Sequence, residues 1–294
     1  MNITKYPSFR PIELGDKPLF DLALIEDPPQ ISEFTFTNIY AWKDPYKITI
    51  SVLGNFLIVR SDGSGTPRFF TPVGGGSKKG AIERIIEETR GEFIRVPEAI
   101  ASLFRDDDRF EIEPDDNDSD YLFKTQDLTR LAGTKYDGKR NLINKFKSAY
   151  KYEYAQLKGS GAEESLAFEE EWCSIKDCDG VEGLNNERLA IREMIANFSF
   201  FNLTGGVIKV DGKVSAIAIA ERLNLETMVM HVMKADPNMA GLYQTMLNEF
   251  LLHNGKPFEY LNMEQDLGVE GLRKSKLSYH PVRMVKKYTL RAAR

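Results

Sequence analysis

Residues 163–290 restrict the fold more than any other stretch, because their hydrophobic period switches between helical and extended in one particular order. Apolar residues recur at helical spacing over 163–175 and again over 186–198, and Asn202-Leu203-Thr204-Gly205-Gly206 then breaks the pattern. Three β-rich runs follow at 207–210, 214–221 and 228–234. The first two are joined by Asp211-Gly212, a pair that tolerates the positive φ angles of a two-residue hairpin turn. A helix is predicted over 240–254, approached through Asp236-Pro237-Asn238-Met239-Ala240-Gly241, and then a short strand over 258–263. An acidic turn with Glu264 and Asp266, a basic helix at 269–276, a Tyr-His-Pro turn and a strand at 282–290 close the segment. This order predicts a mixed α/β (α+β) domain whose mostly antiparallel sheet is flanked by helices.

A chain of 294 residues has room for a second domain, and the first part supplies its elements. Helical spacing over 12–25 stops at Asp27-Pro28-Pro29. The aromatic-dense stretch 31–42 suits packing onto a sheet, or else a ligand-stacking surface. Strands are predicted at 46–52 and 56–60 around the hairpin signal Leu53-Gly54-Asn55, with a third at 69–73. Gly74-Gly75-Gly76-Ser77 opens a helix over 78–90; its N–H groups could cradle an anion, yet the Gly-Lys-Ser/Thr ending of a P-loop is missing and a plain turn is the simpler reading. A strand at 93–96 precedes a short helix begun by Pro97. Nine acids then crowd 106–120 against Arg109 alone; without the glycine and closing Glu of a calcium loop this predicts a solvated acidic hairpin and no metal site. The charge inverts beyond it, which places a boundary near 125 and gives domains 1–125 and 126–294.

Two basic runs stand out in a chain of net charge -5. From Leu272 onward there are eight Lys/Arg and no Asp or Glu, which invites a polyanionic ligand or leaves a solvated basic edge. Residues 135–158 carry seven bases and two acids, arranged as a turn at Asp137-Gly138, a basic helix over 140–150 and a strand over 152–157. Bases interleaved with Tyr136, Phe146, Tyr150 and Tyr152 suit a nucleic-acid backbone with base stacking. The same spacing equally lets one helix bury the rings while its lysines extend to water.

No apolar run of about 18 residues offers a membrane span, and the opening MNITKYPSFRPIEL lacks the apolar core of a secretory signal. A cytoplasmic protein is therefore expected. Cys173 and Cys178 are the two cysteines of the chain; with three His they make neither a disulfide framework nor a zinc site, so both are expected as reduced thiols.

The peptides PPQISEFTFTNIYAW, DYLFKTQDLTRLAGTKYDGKRNLINKF, MKADPNMAGLYQTMLNEF and EYLNMEQDLGVEGLRKSKLSYHPV carry a family resemblance across nearly the whole chain. They look like the phosphatidylglycerol lysyltransferase C-terminal domain family, also called domain of unknown function 2156, whose members are tandem GNAT domains. The strand–hairpin–strand–strand–helix–strand–helix–strand order is similarly that of the GNAT (acyl-CoA N-acyltransferase) fold. The resemblance implies two such domains, the C-terminal one carrying the site, and a kinship with aminoacyl-tRNA-dependent transferases that modify lipid headgroups and peptidoglycan precursors. Acetyl-CoA-dependent members hold pyrophosphate on a glycine-rich loop at a helix N-terminus. The matching stretch here, PNMAGLYQ, has the single glycine Gly241 followed by Leu242 and Tyr243, which puts CoA binding in doubt and is a feature shared with the tRNA-dependent relatives.

For site residues, the resemblance implies Lys276, in LRKSKLSYHP, as the lysine that reaches both the reacting ester and the terminal phosphates. Arg273 and Lys274 would add phosphate contacts, and Glu264 or Asp266 would bind an α-ammonium or take a proton. Tyr279 stands where GNAT folds place an aromatic after the last helix, with core packing as its default role; His280 is a weaker base, and His231 and His253 read as structural. Gly241 and Tyr243 would line the donor end, and Arg140, Asn141 and Lys145 the basic helix facing tRNA. The expected activity is aminoacyl transfer from aminoacyl-tRNA to an amine or hydroxyl on a small molecule or lipid headgroup, with no cofactor required. Acyl-CoA-dependent N-acyl transfer, a non-catalytic RNA- or ligand-binding protein, and a structural pseudoenzyme are the alternatives.

Overall fold

The computed structural model of the chain describes residues 4–62, 65–157 and 161–293; Lys158 and Arg294, counted above among the bases, lie outside them. The first stretch of the chain forms β1 (Arg10–Pro11), α1 (Lys17–Glu26), α2 (Phe36–Ala41), β2 (Ile48–Leu53), β3 (Phe56–Ser61), β4 (Arg68–Phe69), α3 (Lys79–Thr89), β5 (Glu92–Pro97), α4 (Glu98–Ala101) and β6 (Phe110–Pro114). Next come β7 (Asp120–Lys124), α5 (Thr125–Arg130), α6 (Asp137–Ala149), β8 (Tyr152–Gln156), α7 (Ala162–Lys176), α8 (Glu182–Ala196), β9 (Thr204–Val210), β10 (Lys213–Arg222) and β11 (Thr227–Ala235). The last elements are α9 (Leu242–Asn254), β12 (Tyr260–Asn262), α10 (Glu270–Leu277), β13 (Arg283–Val285) and β14 (Lys287–Ala292).

These elements make two seven-stranded mixed sheets, ordered β1-β2-β3-β4-β5-β14-β6 and β13-β7-β12-β11-β10-β9-β8. The chain divides into two units: Met1–Tyr121 with Glu264–Arg273 and Met284–Arg294, and Leu122–Met263 with Lys274–Arg283. A single cut near 125 therefore gives way to an interleaved division. The reason is β14, which pairs antiparallel with both β5 and β6 in the first sheet.

In the first unit, Ile82, Ile85 and Ile86 fall on one face of α3 and are buried with Phe69, Phe93, Val96 and Leu290. Burying each such side chain contributes about 1.5–3 kcal/mol. The aromatic stretch 31–42 resolves into α2, whose Phe36, Ile39 and Tyr40 are buried. In the second unit, Asp211 and Gly212 both take positive φ (50° and 80°) and let β9 and β10 pair directly from Val210↔Lys213. β10 lies between β9 and β11 and is buried without interruption from Val214 to Ala220, a central strand covered on both faces. α9 makes the crossover between β11 and its parallel neighbour β12.

Three further expectations are corrected. The acidic stretch 106–120 is not a hairpin: β6 pairs with β14 in one sheet, and β7 pairs with β12 in the other. The predicted closing strand 282–290 is interrupted at Lys286, so that β13 and β14 serve different sheets. Cys173 and Cys178 form a disulfide instead of remaining thiols, because Asp177 ends α7 in the left-handed region (φ 54°) and the next turn brings the two Cα atoms within 5.0 Å.

Candidate functional site

The approach to α9 is built by backbone bonds. The Asp236 amide donates to the Ser215 carbonyl (2.9 Å), and the Asn238 amide donates to Asp236 Oδ1 (2.9 Å). Gly241 caps the helix at φ 91°, and a Cβ at this position would stand 2.1 Å from the carbonyl oxygen of Leu142 on α6. Glycine is thus demanded by the close passage of α6. Leu242 is fully buried and Tyr243 half-buried. Burial raises the Tyr243 phenol pKa, against the Ala235 amide and Trp172 indole N–H groups, which lower it.

The next residue of α9, Gln244, lies beside the hydroxyl of Tyr279. Burial raises the Tyr279 phenol far above its ordinary pKa, with the neighbouring Gln244 side chain opposing, so it stays protonated at neutral pH. The Tyr136 hydroxyl donates to the Tyr279 carbonyl (3.1 Å). Lys139 Nζ stands 3.7 Å from the Tyr279 ring centroid and donates to Ser278 Oγ at 2.6 Å, and burial lowers its pKa. Lys276 is nearly buried, its Nζ donating to the carbonyl of Met263 just past β12 (2.6 Å). Lys274 is exposed, and exposed His280 turns Nε2 to the Lys135 carbonyl at 3.3 Å. Within this unit Lys276, Tyr279, Gln244 and Lys139 therefore come from the ends of α10, α9 and α6.

Sequence reasoning missed a buried ion cluster in the same unit. Lys234, near the end of β11, donates to Glu169 (2.9 Å) on α7 and pairs with Glu187 (3.0 Å) on α8, and its Nζ is 3.8 Å from the Trp172 ring centroid. Trp172 Nε1 donates to the Ala235 carbonyl (3.1 Å). The available signal was the charge itself: a lysine near the end of the run MVMHVMKA, apolar but for His231, requires a buried counter-ion.

Other candidates lie in the first unit. Asp266 is buried and accepts from Tyr121 Oη (2.5 Å), the Gly268 amide (2.8 Å) and two Arg273 nitrogens (2.8 and 2.9 Å). Burial pushes its pKa up, but these bonds more than offset that and hold the carboxyl at about 2. A carboxylate held this low is a poor base near neutral pH. Arg273 also reaches Asn117 Oδ1 at 2.8 Å. Glu264 is half-buried at φ 56°, and its carbonyl accepts from the Tyr121 amide.

On α6, Arg140 donates to the carbonyls of Leu131 and Gly133 and to Asp137, while Lys147 pairs with Glu249 (2.9 Å). Asn141 and Lys145 are exposed. Tyr136 and Phe146 are core residues, so the rings of this helix serve packing.

The chain matches the family model described as phosphatidylglycerol lysyltransferase, C-terminal, over residues 28–291. A conserved protein of unknown function from Bacteroides thetaiotaomicron is 33% identical, with a TM-score of 0.89 over 97% of this chain and 99% of that one. L-PGS from Bacillus licheniformis is 13% identical, with a TM-score of 0.68 over 99% of this chain and 94% of that one. FemX is 6% identical with a TM-score of 0.58, each chain covered over 97%. The last two likenesses are of fold. No curated protein matches the chain.

Proposed function

The chain belongs to the phosphatidylglycerol lysyltransferase C-terminal family and has the GNAT-type transferase fold; from that premise we propose that it transfers an aminoacyl group from aminoacyl-tRNA to an amine or hydroxyl acceptor. The observation that carries the choice of donor is the approach to α9. Where a CoA-dependent enzyme offers bare backbone to pyrophosphate, Gly241 is packed against the Leu142 carbonyl and followed by buried Leu242 and the half-buried Tyr243. This favours a donor held by other contacts, as aminoacyl-tRNA would be, and requires no resident cofactor.

In the reaction, the acceptor lone pair attacks the ester carbonyl carbon, a C–N or C–O bond forms, and the C–O bond to the tRNA ribose breaks. The acceptor proton ends on the ribose oxygen. Tyr279, protonated at neutral pH, is suited to donate a hydrogen bond to the departing oxygen. The Lys276 ammonium, oriented by the Met263 carbonyl, is suited to the developing oxyanion or a terminal phosphate. The acceptor is a small molecule or a lipid headgroup, and the reaction runs in the cytoplasm, where charged tRNA is made. No helix among the described residues is long and apolar enough to cross a membrane.

Single-turnover assays with tRNA aminoacylated by radiolabelled amino acids, uncharged tRNA and acyl-CoA test the proposal. Loss of the ester label into an amine or hydroxyl acceptor is the expected result. Transfer from acyl-CoA alone would overturn it.

A further inference from the structure

Lys139 is a cation without an anion. It stands in the first turn of α6, where the helix dipole disfavours positive charge, and it is half-buried. Among the described residues its one polar partner is the Ser278 hydroxyl, which accepts from Nζ at 2.6 Å and itself donates to the Ser275 carbonyl at 2.6 Å. The Tyr279 ring centroid lies 3.7 Å from the same Nζ. Burial lowers the Lys139 pKa, and no carboxylate acts to raise it.

Local structure does not account for this placement. A lysine beside a helix end can bind the free carbonyls there, but those of α10 are taken. Lys274 O accepts from the Ser278 amide (3.1 Å), Ser275 O from the Ser278 hydroxyl, Lys276 O from the Tyr279 amide (3.1 Å) and Leu277 O from the His280 amide (2.9 Å). Nearby bases have acids of their own: Arg140 holds Asp137, and Lys135 stands 3.8 Å from Asp127. Lys139 has none, and exposed Lys274, one helical turn before Ser278 and so on the same face, adds a second positive charge. Two N–H donors of the Lys139 ammonium remain beyond the bond to Ser278. The chemistry that is missing is an anionic oxygen, which a half-desolvated ammonium binds more strongly than one in open water does.

We propose that Lys139 binds the last phosphodiester of the RNA donor, the one attached to the ribose that carries the ester; this deepens the aminoacyl-transfer reading and rests on it. The Tyr279 hydroxyl is matched to the departing ribose oxygen, and the phosphodiester of that nucleotide lies one sugar away from it. Lys139 covers the ring of the same tyrosine. Such a contact positions the donor without reading its bases, and it leaves Lys276 to the developing oxyanion. The phosphate of a lipid headgroup would instead belong to the attacking group.

The test is a double-mutant cycle read by filter binding of an acceptor-stem RNA hairpin ending in CCA, its last internucleotide linkage either phosphate or neutral methylphosphonate. The neutral linkage weakens binding to the wild type by about tenfold, the loss of one charged hydrogen bond. Lys139→Met weakens binding of the normal hairpin by a similar factor and no longer distinguishes the two linkages, while Lys139→Arg still does. Undiminished affinity in Lys139→Met, losses that multiply, or no binding of the hairpin by the wild type overturns the contact. So does displacement of the hairpin by sn-glycerol 3-phosphate that depends on Lys139 when the two linkages bind equally, since the phosphate is then the acceptor's. Lys139→Gln replaces Lys139→Met should the latter fail to fold. Transfer from charged tRNA with independent losses sinks the contact and leaves the transfer reading standing; coupled losses without transfer do the reverse.

Discussion

Lys287 Nζ lies 2.6 Å from Asp120 Oδ1, and both side chains are completely buried. The same ammonium donates to Glu33 Oε1 at 2.7 Å; Ser32 Oγ and its amide bond Asp120, and Arg95 pairs with Glu33 and Asp118. Arg95 reaches this cluster from a left-handed position in β5 (φ 52°), where the register with β14 slips. The cluster anchors the first residue of β14 within the first unit.

Lys287→Met therefore takes the ammonium from buried Asp120 and leaves Glu33 with Arg95, at a cost of about 3–5 kcal/mol. Arg291→Ala, by contrast, removes part-exposed pairs with Glu111 and Glu113 and costs less than about 1 kcal/mol. Urea denaturation of the two variants checks the contrast; equal losses would show that burial is not what matters.

The Asp266 carboxyl is held at about 2, below its ordinary 3.8, so its charged form is favoured by folding. Its contribution is present above about pH 4 and is lost as the pH falls through the folded value near 2. Asp266→Asn is then less stable than the wild type at pH 6, and the gap closes towards pH 2. A gap that stays constant in thermal melts across this range would contradict the assignment.

Gly241→Ala places a Cβ against the Leu142 carbonyl at φ 91°. The expected loss is about 2 kcal/mol or more, from strain and overpacking together. Gly138→Ala on α6 meets nothing within 4 Å and serves as the control for melting temperature.

On the transfer reading, Lys276→Ala lowers single-turnover transfer by about 100-fold or more. It also costs about 1–2 kcal/mol of stability, because the buried bond to Met263 O is lost. Tyr279→Phe removes the hydrogen bond to the departing oxygen, and a fall of about 100-fold is expected with the ring packing intact. A Lys276→Ala enzyme of full activity removes this residue from the chemistry.

If α6 meets a tRNA backbone, exposed Lys145 is the residue to change. Lys145→Ala reduces the slope of log affinity against log salt by about 1. Lys147 and Arg140 already hold Glu249 and Asp137, so their substitution flattens it less. An unchanged slope in Lys145→Ala excludes this helix from the interface.

What local pattern dictates was readable along the chain. The hairpin at Asp211-Gly212, the three-isoleucine face of α3 and the helix–strand order from α7 to β12 follow from periodicity and turn chemistry within about a dozen residues. Gly241 was legible as special, although its reason, the passage of α6 a hundred residues earlier, was not.

The meaning of the charges belonged to the tertiary structure. The acids of 106–120 looked like a solvated hairpin and the bases after Leu272 like an anion-binding segment or a solvated basic edge, yet Arg291 lies opposite Glu111 across 180 residues of chain and Lys287 is buried on Asp120. The Glu169–Lys234 pair and the Cys173–Cys178 disulfide were likewise invisible as relationships. Hydrophobic period and turn preference act between near neighbours, so the amino-acid order determines the elements directly. Whether a charge meets water, a ligand or its opposite depends on which distant segment the fold brings beside it, and only the closed structure decides that.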